Sequence, residues 1–323
     1  MEELKKQQEE IATLLKELDI MSQYEGEDKV ISSHEAVELF KEDGKVISVN
    51  TKLKDIDDLV GGFREGQLIV ISAPTGQGKT TFAQTLTLNF LEQDVKSLWF
   101  SYEVGFNEFI AKFEELKELP LFFLPRTLKQ NSVEWLERKI VEGLAKHNTK
   151  VVFIDHLHYL LEMEKMAQAK NLSLLLGMMM RDLKHIALKY KVIIFLVSHM
   201  RKATYESGKM PEIDDLIDSS FVGQESDIVI FLKRKKEGED YTNFATLKVA
   251  KNRRTGNLGT VKLELIKGRF YIYDEYINSA LRENVSINAN DTYGQDLEPP
   301  SEDSFRPASP VSEEDINPAE LFG

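Results

Sequence analysis

Residues 68–80 read LIVISAPTGQGKT, and this stretch decides the fold. Its first five residues, Leu68–Ser72, are mainly apolar and rich in β-branched side chains, which predicts a short buried strand. A glycine-rich loop follows at residues 73–80, and the pattern predicts a helix from Thr80 to Leu91. A loop of this composition between a strand and a helix is the setting of a phosphate loop. The sequence therefore predicts an α/β domain that binds nucleotide phosphates.

The loop offers several kinds of contact to a nucleotide. Gly76 and Gly78 let backbone N–H groups turn toward the phosphates, where the N-terminus of the following helix adds positive potential. Lys79 is expected to reach the β- and γ-phosphates, and the Thr80 hydroxyl is expected to bind Mg²⁺. Ala73 replaces the usual first glycine of the motif. The residues expected to contact the nucleotide are Ala73, Pro74, Thr75, Gly76, Gln77, Gly78, Lys79, Thr80 and Thr81.

Outward from the loop, short apolar runs alternate with helical stretches. Further buried strands are predicted at residues 97–101, 151–154 and 192–198, and helices at residues 107–116, 133–146 and 172–189. This alternation predicts a mainly parallel sheet covered by helices on both faces. Later runs show more polar alternation and predict an antiparallel extension of the sheet. They lie at residues 227–232, 244–250, 261–266 and 269–273.

The two ends of the chain differ from this central domain, which we predict to span residues 46–275. Residues 1–45 are predicted to be helical, and their first helix either packs on its own domain or docks on a neighbouring subunit. Residues 276–323 are acidic, rich in proline and poor in apolar surface, so we predict a disordered tail. The apolar end of that tail, Leu321 and Phe322, is either a docking peptide or a chance feature of a solubilising segment.

Composition excludes several classes of protein. The chain has 323 residues, no cysteine and a formal net charge of -13. Without cysteine, disulfides, zinc–thiolate sites and cysteine nucleophiles are excluded. No apolar run is long enough to span a bilayer and the N-terminus is charged, so we expect a cytoplasmic protein with no membrane partner. The acidic balance predicts that any contact with nucleic acid is made locally, by a few loops.

Two carboxylates follow predicted strands. Asp155 ends the run VVFID, the Walker B arrangement, and is expected to hold the metal through water beside the phosphate loop. Glu103 ends the run SLWFSYE, which directly follows the phosphate-loop helix. If that strand adjoins the loop strand, Glu103 can orient and deprotonate an attacking water. Otherwise it is an exposed residue at a strand end.

Two basic features also lie at strand ends. His199 follows the run VIIFLVS and is either a contact that reports the γ-phosphate or a structural residue. Residues 251–254 read KNRR and follow the run FATLKVA. They form either a solvated turn or a turn in which Arg253 is an arginine finger that stabilises transition-state charge in a neighbour's site. A finger supplied in trans implies a ring or a filament.

Together, these segments resemble the hexameric replicative DNA helicases, specifically the RecA-like motor domain of the DnaB and phage helicase–primase type. The resemblance covers about residues 46 to 275 in consistent order. The matching segments are TKLKDIDDLVGGFREGQLIVISAPTGQGKTTFA, WFSYE, VVFIDHLHYL, VIIFLVSHMRK, VGQESDIVIFLKRK and KNRRTGNLGTVKLEL. Only about 45 residues precede the matching region, with no large N-terminal or primase domain, as expected of a reduced, phage-encoded or mobile-element helicase.

The resemblance implies a role for each candidate residue. It implies that Glu103 is the catalytic base, Asp155 the metal-supporting acid, and Arg253 the trans-acting finger with Lys251 beside it. It implies that Gln224 couples the nucleotide state to the DNA-binding loops. The segment of residues 201–222 is implied to be a central-channel loop that grips single-stranded DNA, although its many acidic residues make its positive charge small. Its implied phosphate contacts are Arg201, Lys202 and Lys209.

For the whole protein, the resemblance implies a ring, expected to be a hexamer, that uses ATP or dTTP with Mg²⁺. Such a ring is expected to move 5′ to 3′ on single-stranded DNA and to unwind duplex at a replication fork, with a replisome protein as a partner for the tail. A second hypothesis is a RecA-like ATPase that does not unwind, such as a recombinase, a loader or a signalling ATPase. The KNRR and VGQESD segments favour the helicase. A third hypothesis is an interaction module that acts through the acidic tail.

Overall fold

The computed structural model describes most of the central domain and the two helices before it. The described residues are 2–26, 29–42, 46–111, 113, 119–128, 132–156, 172–200, 209–216, 219–238 and 240–274. The predicted acidic tail lies outside the described residues, as do residues 201 and 202 of the predicted DNA loop. Among the described helices, none combines the length and the apolar character needed to cross a membrane.

The centre of the fold is an eight-stranded sheet, preceded by a small two-stranded one. The strands are β1 (Ser48–Val49), β2 (Phe63–Arg64), β3 (Leu68–Ser72), β4 (Ser97–Ser101), β5 (Val151–Asp155), β6 (Ile193–Ser198), β7 (Ile228–Glu237), β8 (Asp240–Asn252), β9 (Gly259–Ile266) and β10 (Arg269–Ile272). Strands β1 and β2 pair with each other, and the large sheet has the order β10-β9-β8-β7-β3-β6-β5-β4. Pairing is parallel from β7 through β3, β6 and β5 to β4, and antiparallel from β7 to β10.

Helices connect the parallel strands, as parallel pairing requires. The described helices are α1 (Glu2–Ser22), α2 (Ser33–Glu42), α3 (Lys54–Val60), α4 (Lys79–Leu91), α5 (Phe106–Ala111), α6 (Val133–His147), α7 (Leu172–Lys189) and α8 (Ser219–Glu225), of which α4 to α8 lie between the parallel strands. Local sequence explains both ends of α6. The side chain of Ser132 accepts a hydrogen bond from the Trp135 N–H and caps the start of α6, and Asn148 ends that helix in the left-handed conformation.

The predicted fold class is confirmed, because a mainly parallel sheet is flanked by helices and continues as an antiparallel extension. The largest difference from the predicted elements is the length of β7 and β8. Both strands continue well beyond the predicted runs and form a projecting hairpin. Residues 233–237 of that hairpin read KRKKE, and their side chains are partly or fully exposed. An exposed strand lacks the apolar pattern that predicts a buried one.

The strand order does not meet the condition that the sequence analysis set for Glu103. The strand that leads to Glu103, β4, does not adjoin the phosphate-loop strand β3, because β6 and β5 lie between them. Strand β4 is therefore at the edge of the sheet. The connection through α4 passes over two strand positions, and local sequence carries no signal for the length of such a crossover.

Apolar side chains cover both faces of the parallel strands. One face carries an aromatic stack, in which the ring centroids of Trp99 and Phe153 are 4.5 Å apart and those of Phe153 and Phe195 are 4.9 Å apart. The indole N–H of Trp99 donates to the Thr87 hydroxyl of α4 at 3.0 Å, which fixes that helix against the sheet. The other face packs against α6 and α7. These contacts hold the strand ends, and so the site residues, in a rigid frame.

Helix α1 presents exposed apolar side chains. Ile11, Leu14, Leu15 and Leu18 are each between 56% and 64% exposed. Their spacing places them along a common stripe of the helix.

Candidate nucleotide site at the carboxyl edge of the sheet

The phosphate loop leaves β3 at the carboxyl edge of the parallel strands and leads directly into α4. Gly78 precedes the helix in the left-handed conformation, with φ of 91°. A Cβ at this position would also lie 3.2 Å from the Phe270 ring. The backbone therefore requires glycine here, and the first N–H groups of α4 face the loop as an anion site.

The two predicted magnesium ligands lie side by side. The Thr80 hydroxyl donates to Oδ2 of Asp155 at 2.6 Å, although β5 and β3 are separated by β6. Asp155 is 1% exposed. A hydroxyl and a carboxylate at the end of the phosphate loop are the oxygen ligands that Mg²⁺ prefers, so these residues fit the ion that the sequence implied.

Lys79 lies inside the site rather than on its surface. The residue is only 6% exposed, and its Nζ is 3.4 Å from Nδ1 of His199. Burial lowers the pKa of the Lys79 ammonium below its usual value, and the carboxylates of Glu103 and Asp155 partly oppose that shift. A buried cation of this kind gains from a phosphate, which would restore its electrostatic stabilisation.

Glu103 reaches the same site from the edge strand. The backbone N–H groups of Tyr102 and Glu103 both donate to the carbonyl of Asp155, at 2.6 and 3.3 Å, so the end of β4 turns over the end of β5. Oε2 of Glu103 then lies 3.8 Å from Nε2 of His199. Lys79, His199 and Glu103 thus form a continuous row of polar groups.

His156 joins this row and was not among the predicted site residues. Its ring contacts the ring of His199 edge to face, with centroids 4.2 Å apart. Ligand-type atoms of Glu103, His156 and His199 all lie within 4.8 Å of one another. The sequence feature that could have identified His156 is its position directly after Asp155, at the end of a parallel strand. Two imidazoles and a carboxylate suit a borderline metal such as Zn²⁺ better than Mg²⁺.

The projecting hairpin also reaches the phosphate loop, through contacts that the sequence did not predict. The Arg234 backbone N–H donates to Oε1 of Gln77 at 3.0 Å, and Nε2 of Gln77 donates to the Tyr241 hydroxyl at 3.4 Å. Gln77 is 5% exposed. The hairpin therefore forms one wall of the loop, which explains how a glutamine in the middle of the motif comes to be buried.

The predicted finger residues do not join this site. Arg253 follows Asn252, which pairs with Ile228 near the start of β7. Ile228 is level with Ile69 near the start of β3, whereas the phosphate loop leaves β3 after Ser72. At about 3.3 Å per residue, these positions are separated by roughly 10 Å along the strands. The side chain of Arg253 also does not reach back toward the phosphate loop. Its Nη2 donates to the carbonyl of Gln224, which lies just before β7.

Lys251 and Gln224 lie at this second edge as well. The ammonium of Lys251 donates to the carbonyls of Gly223 and Ser226, at the C-terminal end of α8, where a cation is favoured. Burial lowers the pKa of Lys251, and the charge of Arg253 lowers it further. Gln224 is exposed, and its carbonyl accepts from Arg253. The structure thus gathers Lys251, Arg253 and Gln224 around one helix end, apart from the phosphate loop.

Arg254 differs from its neighbour. Its Nη2 donates to the carbonyls of Val60 and Gly61, at 2.7 and 2.6 Å, and so caps the end of α3. A Cβ on Gly61 would lie 2.6 Å from that nitrogen. Arg254 therefore fixes the turn to the body of the domain, whereas the side chain of Arg253 is 52% exposed.

Comparison with known proteins identifies the family of this domain. The family model described as the DnaB-like helicase C terminal domain matches residues 48–113 and 105–272. The chain belongs to this family. The match covers the whole described sheet, from the phosphate loop to β10.

Individual relatives agree with the family assignment. The replicative DNA helicase DnaB of Buchnera aphidicola subsp. Acyrthosiphon pisum (strain APS) is 25% identical over 285 residues, which cover 77% of this chain and 60% of that protein. The replicative DNA helicase DnaB of Rickettsia prowazekii (strain Madrid E) is 25% identical over 237 residues, covering 61% of this chain and 48% of that protein. The chain thus spans about half to 60% of the length of these relatives.

Solved structures give the same result. A structure described as an ATPase domain is similar with a TM-score of 0.63 and 26% identity, over 75% of this chain and 99% of that one. A DnaB-like replicative helicase, whose structure was described together with its interactions with primase, matches with a TM-score of 0.61 and 24% identity. That second match covers 83% of this chain and 72% of that one, and it supports the fold.

In this DnaB-like domain, the predicted DNA contacts are only partly described. Arg201 and Lys202 lie outside the described residues, and Lys209 is exposed. Two lysines that the sequence did not single out lie beside Lys209. Lys233 donates to the Lys209 carbonyl at 2.6 Å, and Lys248 donates to the Pro211 carbonyl at 3.2 Å. Lys248 also pairs with Glu212 of the same segment, so of these two lysines only Lys233 adds positive charge that no described carboxylate of the segment offsets.

Proposed function

We propose that the chain is the motor of an NTP-driven replicative DNA helicase that acts as a ring in the cytoplasm. One observation carries the proposal. The groups suited to binding and hydrolysing a nucleotide lie at one edge of the sheet, while Arg253 is held at the other edge. Among the described residues, the phosphate site is therefore separated from Arg253, the proposed finger, by the length of the parallel strands. The family membership of residues 48–272 supports the same conclusion.

The proposed chemistry assigns one task to each side chain. Lys79 neutralises the β- and γ-phosphates of ATP or dTTP, and Thr80 and Asp155 hold Mg²⁺, which supplies charge neutralisation when bound. Glu103 orients the attacking water and accepts its proton. His199 lies between Lys79 and Glu103, so it can contact the γ-phosphate and signal its loss to the base.

The second half of the site comes from a neighbouring subunit in this proposal. Arg253 donates to the γ-phosphate of the neighbour during phosphoryl transfer, as fingers supplied in trans do. A head-to-tail contact between two different edges generates a closed ring when the rotation closes, and we propose a hexamer. Lys251 lies beside the finger and joins its turn to α8. Gln224 at the end of α8 then links the turn to the DNA loop.

Three further parts complete the proposal. The ring moves 5′ to 3′ on single-stranded DNA that its central channel binds through Arg201, Lys202 and Lys209. Residues 1–45 form a segment whose first helix docks on the neighbouring subunit through its exposed apolar stripe, outside the motor of residues 46–275. The tail of residues 276–323 recruits a replisome protein.

A forked duplex with a free single-stranded 5′ tail tests the proposal. Wild-type protein is expected to hydrolyse ATP faster when single-stranded DNA is added and to unwind the fork. Lys79→Ala is expected to abolish both activities, because the buried ammonium is the group that meets the phosphates. Lys54→Ala is the matched control, since Lys54 is an exposed lysine on α3 with its side chain 82% exposed.

Two outcomes would contradict the helicase. If single-stranded DNA leaves hydrolysis unchanged and no fork is unwound, the chain is a RecA-like ATPase of another kind. If negative-stain images of the protein with nucleotide and DNA show filaments in place of rings, the same alternative is favoured. Removal of residues 277–323 is expected to leave hydrolysis intact, which would exclude the tail as the centre of activity.

A further inference from the structure

The finger residue poses a positioning problem. The Arg253 side chain is half exposed, and an arginine side chain has many rotamers. A finger acts only if its guanidinium meets the phosphate in one geometry, and a displacement of about 1 Å can cost about 100-fold in rate. Some group at the second edge must therefore restrict Arg253.

Asp227 is a rigid carboxylate beside the turn. It directly precedes β7, and its side chain is only 10% exposed. Its Oδ2 accepts from the Leu68 backbone N–H at 2.8 Å and from the Lys184 ammonium at 2.7 Å. Lys184 also donates to the Gly66 carbonyl at 2.7 Å. These bonds tie the carboxylate to β3 and to α7, so its position is set by the core of the sheet.

The other oxygen of this carboxylate faces the finger. Oδ1 of Asp227 lies 3.6 Å from Nη1 of Arg253, and the Arg253 backbone N–H donates to the Asp227 carbonyl at 2.8 Å. Both the backbone and the guanidinium of Arg253 therefore contact one residue. The Gln224 carbonyl accepts a hydrogen bond from Nη2 of the guanidinium, whereas Asp227 and Nη1 form an ion pair. A guanidinium has five N–H donors, so others remain for a phosphate.

We infer that Asp227, fixed by Lys184, is the positioning residue of the arginine finger. The inference rests on the proposed function, because it requires Arg253 to act in a neighbour's site. Asp227 does not touch the nucleotide in this scheme. It limits the guanidinium to orientations that a neighbouring subunit can meet, and it ties the finger to β3, the strand that carries the phosphate loop of its own subunit.

Mixed rings separate this role from a structural one. A donor chain with Lys79→Ala keeps its finger but lacks a working phosphate loop. An acceptor chain with Arg253→Ala keeps a working phosphate loop but lacks the finger. Their mixture is expected to regain ATPase activity wherever a donor finger meets an acceptor loop. Asp227→Asn keeps an oxygen for the Leu68 N–H but removes the charge that faces Arg253. Placed in the donor, it is expected to lower the regained kcat by about 10- to 100-fold with little change in KM.

The same substitution placed in the acceptor is the decisive comparison. The acceptor has no finger to position, so Asp227→Asn there is expected to leave the regained activity in place. If the acceptor loses activity as much as the donor does, Asp227 has only a structural role and the inference is overturned. If the unmodified mixture regains nothing although its subunits exchange, the finger in trans itself is refuted.

Two further variants test whether the effect is specific to Asp227 and whether Lys184 fixes its position. Glu225→Gln in the donor removes a nearby carboxylate that also pairs with a basic residue of α7, Arg181, at 3.0 Å. It is expected to leave the regained activity unchanged. Lys184→Met in the donor is expected to lower kcat in the same way as Asp227→Asn, because it frees the carboxylate. Failure of Lys184→Met donors to lose kcat, while melting as the wild type does, would contradict the fixing role of Lys184.

Discussion

The phosphate-loop edge and the Arg253 edge of this sheet are built from different contacts. At the loop edge, side chains contact side chains: Lys79 lies 3.4 Å from His199, and Thr80 donates to Asp155 at 2.6 Å. At the other edge, Arg253 and Arg254 donate mainly to backbone carbonyls at helix ends. The first edge is a buried pocket whose charges can respond to a phosphate. The second is a rigid turn that presents one half-exposed guanidinium.

In the proposed ring, the two edges have different tasks in neighbouring chains. The contacts in a nucleotide pocket must change when the nucleotide is bound, hydrolysed or released. The side chains of this pocket are therefore linked by polar contacts that a bound phosphate can replace. A finger must keep its place while the neighbour's nucleotide changes, so it is fixed to backbone. Each prediction below tests one side of this contrast.

The largest expected effect is that of Arg253→Ala. If this guanidinium completes the neighbour's site, ATP turnover should fall by about 10³- to 10⁵-fold, the range known for arginine fingers. Nucleotide binding should survive, because the loop edge is untouched. Turnover and the affinity for a fluorescent nucleotide analogue measure the two properties separately.

Thermal stability and nucleotide affinity show whether the loss of turnover in Arg253→Ala is specific. Arg253→Ala should leave thermal stability nearly unchanged, since the side chain is half exposed and Asp227 keeps its bonds to Leu68 and Lys184. A loss of nucleotide affinity equal to the loss of turnover would contradict a finger and would indicate a general disturbance of the fold.

Arg254→Ala is expected to affect stability before activity. Its guanidinium caps α3, and the loss of these partly exposed hydrogen bonds should cost about 1 kcal/mol and lower the melting temperature by roughly 2 to 4 °C. Lys262→Ala, an exposed residue on β9, is the control. A loss of turnover as large as that of Arg253→Ala, with no change in melting, would reverse the roles of the two arginines.

The smallest expected effect concerns the pH dependence of stability. Because burial lowers the pKa of Lys79 below 10.5 in the folded chain, the unfolded chain binds more protons between that lowered pKa and 10.5. Stability contributed through Lys79 must therefore rise with pH in this window. Without nucleotide, the difference in unfolding free energy between wild type and Lys79→Met should shift in favour of wild type as the pH rises toward 10.5.

Denaturant unfolding at a series of pH values measures that difference. Added nucleotide should reduce the effect, because a bound phosphate stabilises the charged ammonium and raises its pKa. A difference that moves in the opposite direction would show that Lys79 is not desolvated at the loop edge.

Sequence reasoning was strongest where local pattern and chemistry coincide. It predicted the strand Leu68–Ser72 and the helix after the phosphate loop nearly to the residue, because a buried strand and a glycine-rich turn have strong local signals. It was weaker for the hairpin of β7 and β8, where charged residues of an exposed strand hide the pattern. His156 and Asp227 lie inside segments that carried the resemblance, but neither was given a role, because their contacts are with residues far away in the chain.

The strand order shows the limit of local reasoning. The role of Glu103 was predicted on the condition that its strand adjoins β3, whereas β4 is separated from β3 by two strands. Glu103 still lies 3.8 Å from His199, because the end of β4 turns over β5 through hydrogen bonds to the Asp155 carbonyl. A carboxylate at the end of a strand was enough to predict that Glu103 lies near the site. The strand order that brings it there could not be predicted.

By itself, the sequence determined the phosphate loop, the α/β class and the family, because these depend on residue types at fixed spacing. Only the tertiary structure decided which residues share an edge of the sheet. It gathers Lys79, His199, Glu103 and Asp155 at one edge, and it holds Arg253 at the other against Asp227. The reason is physical: pairing register and crossover length set these distances, and both arise from contacts between segments far apart in the chain.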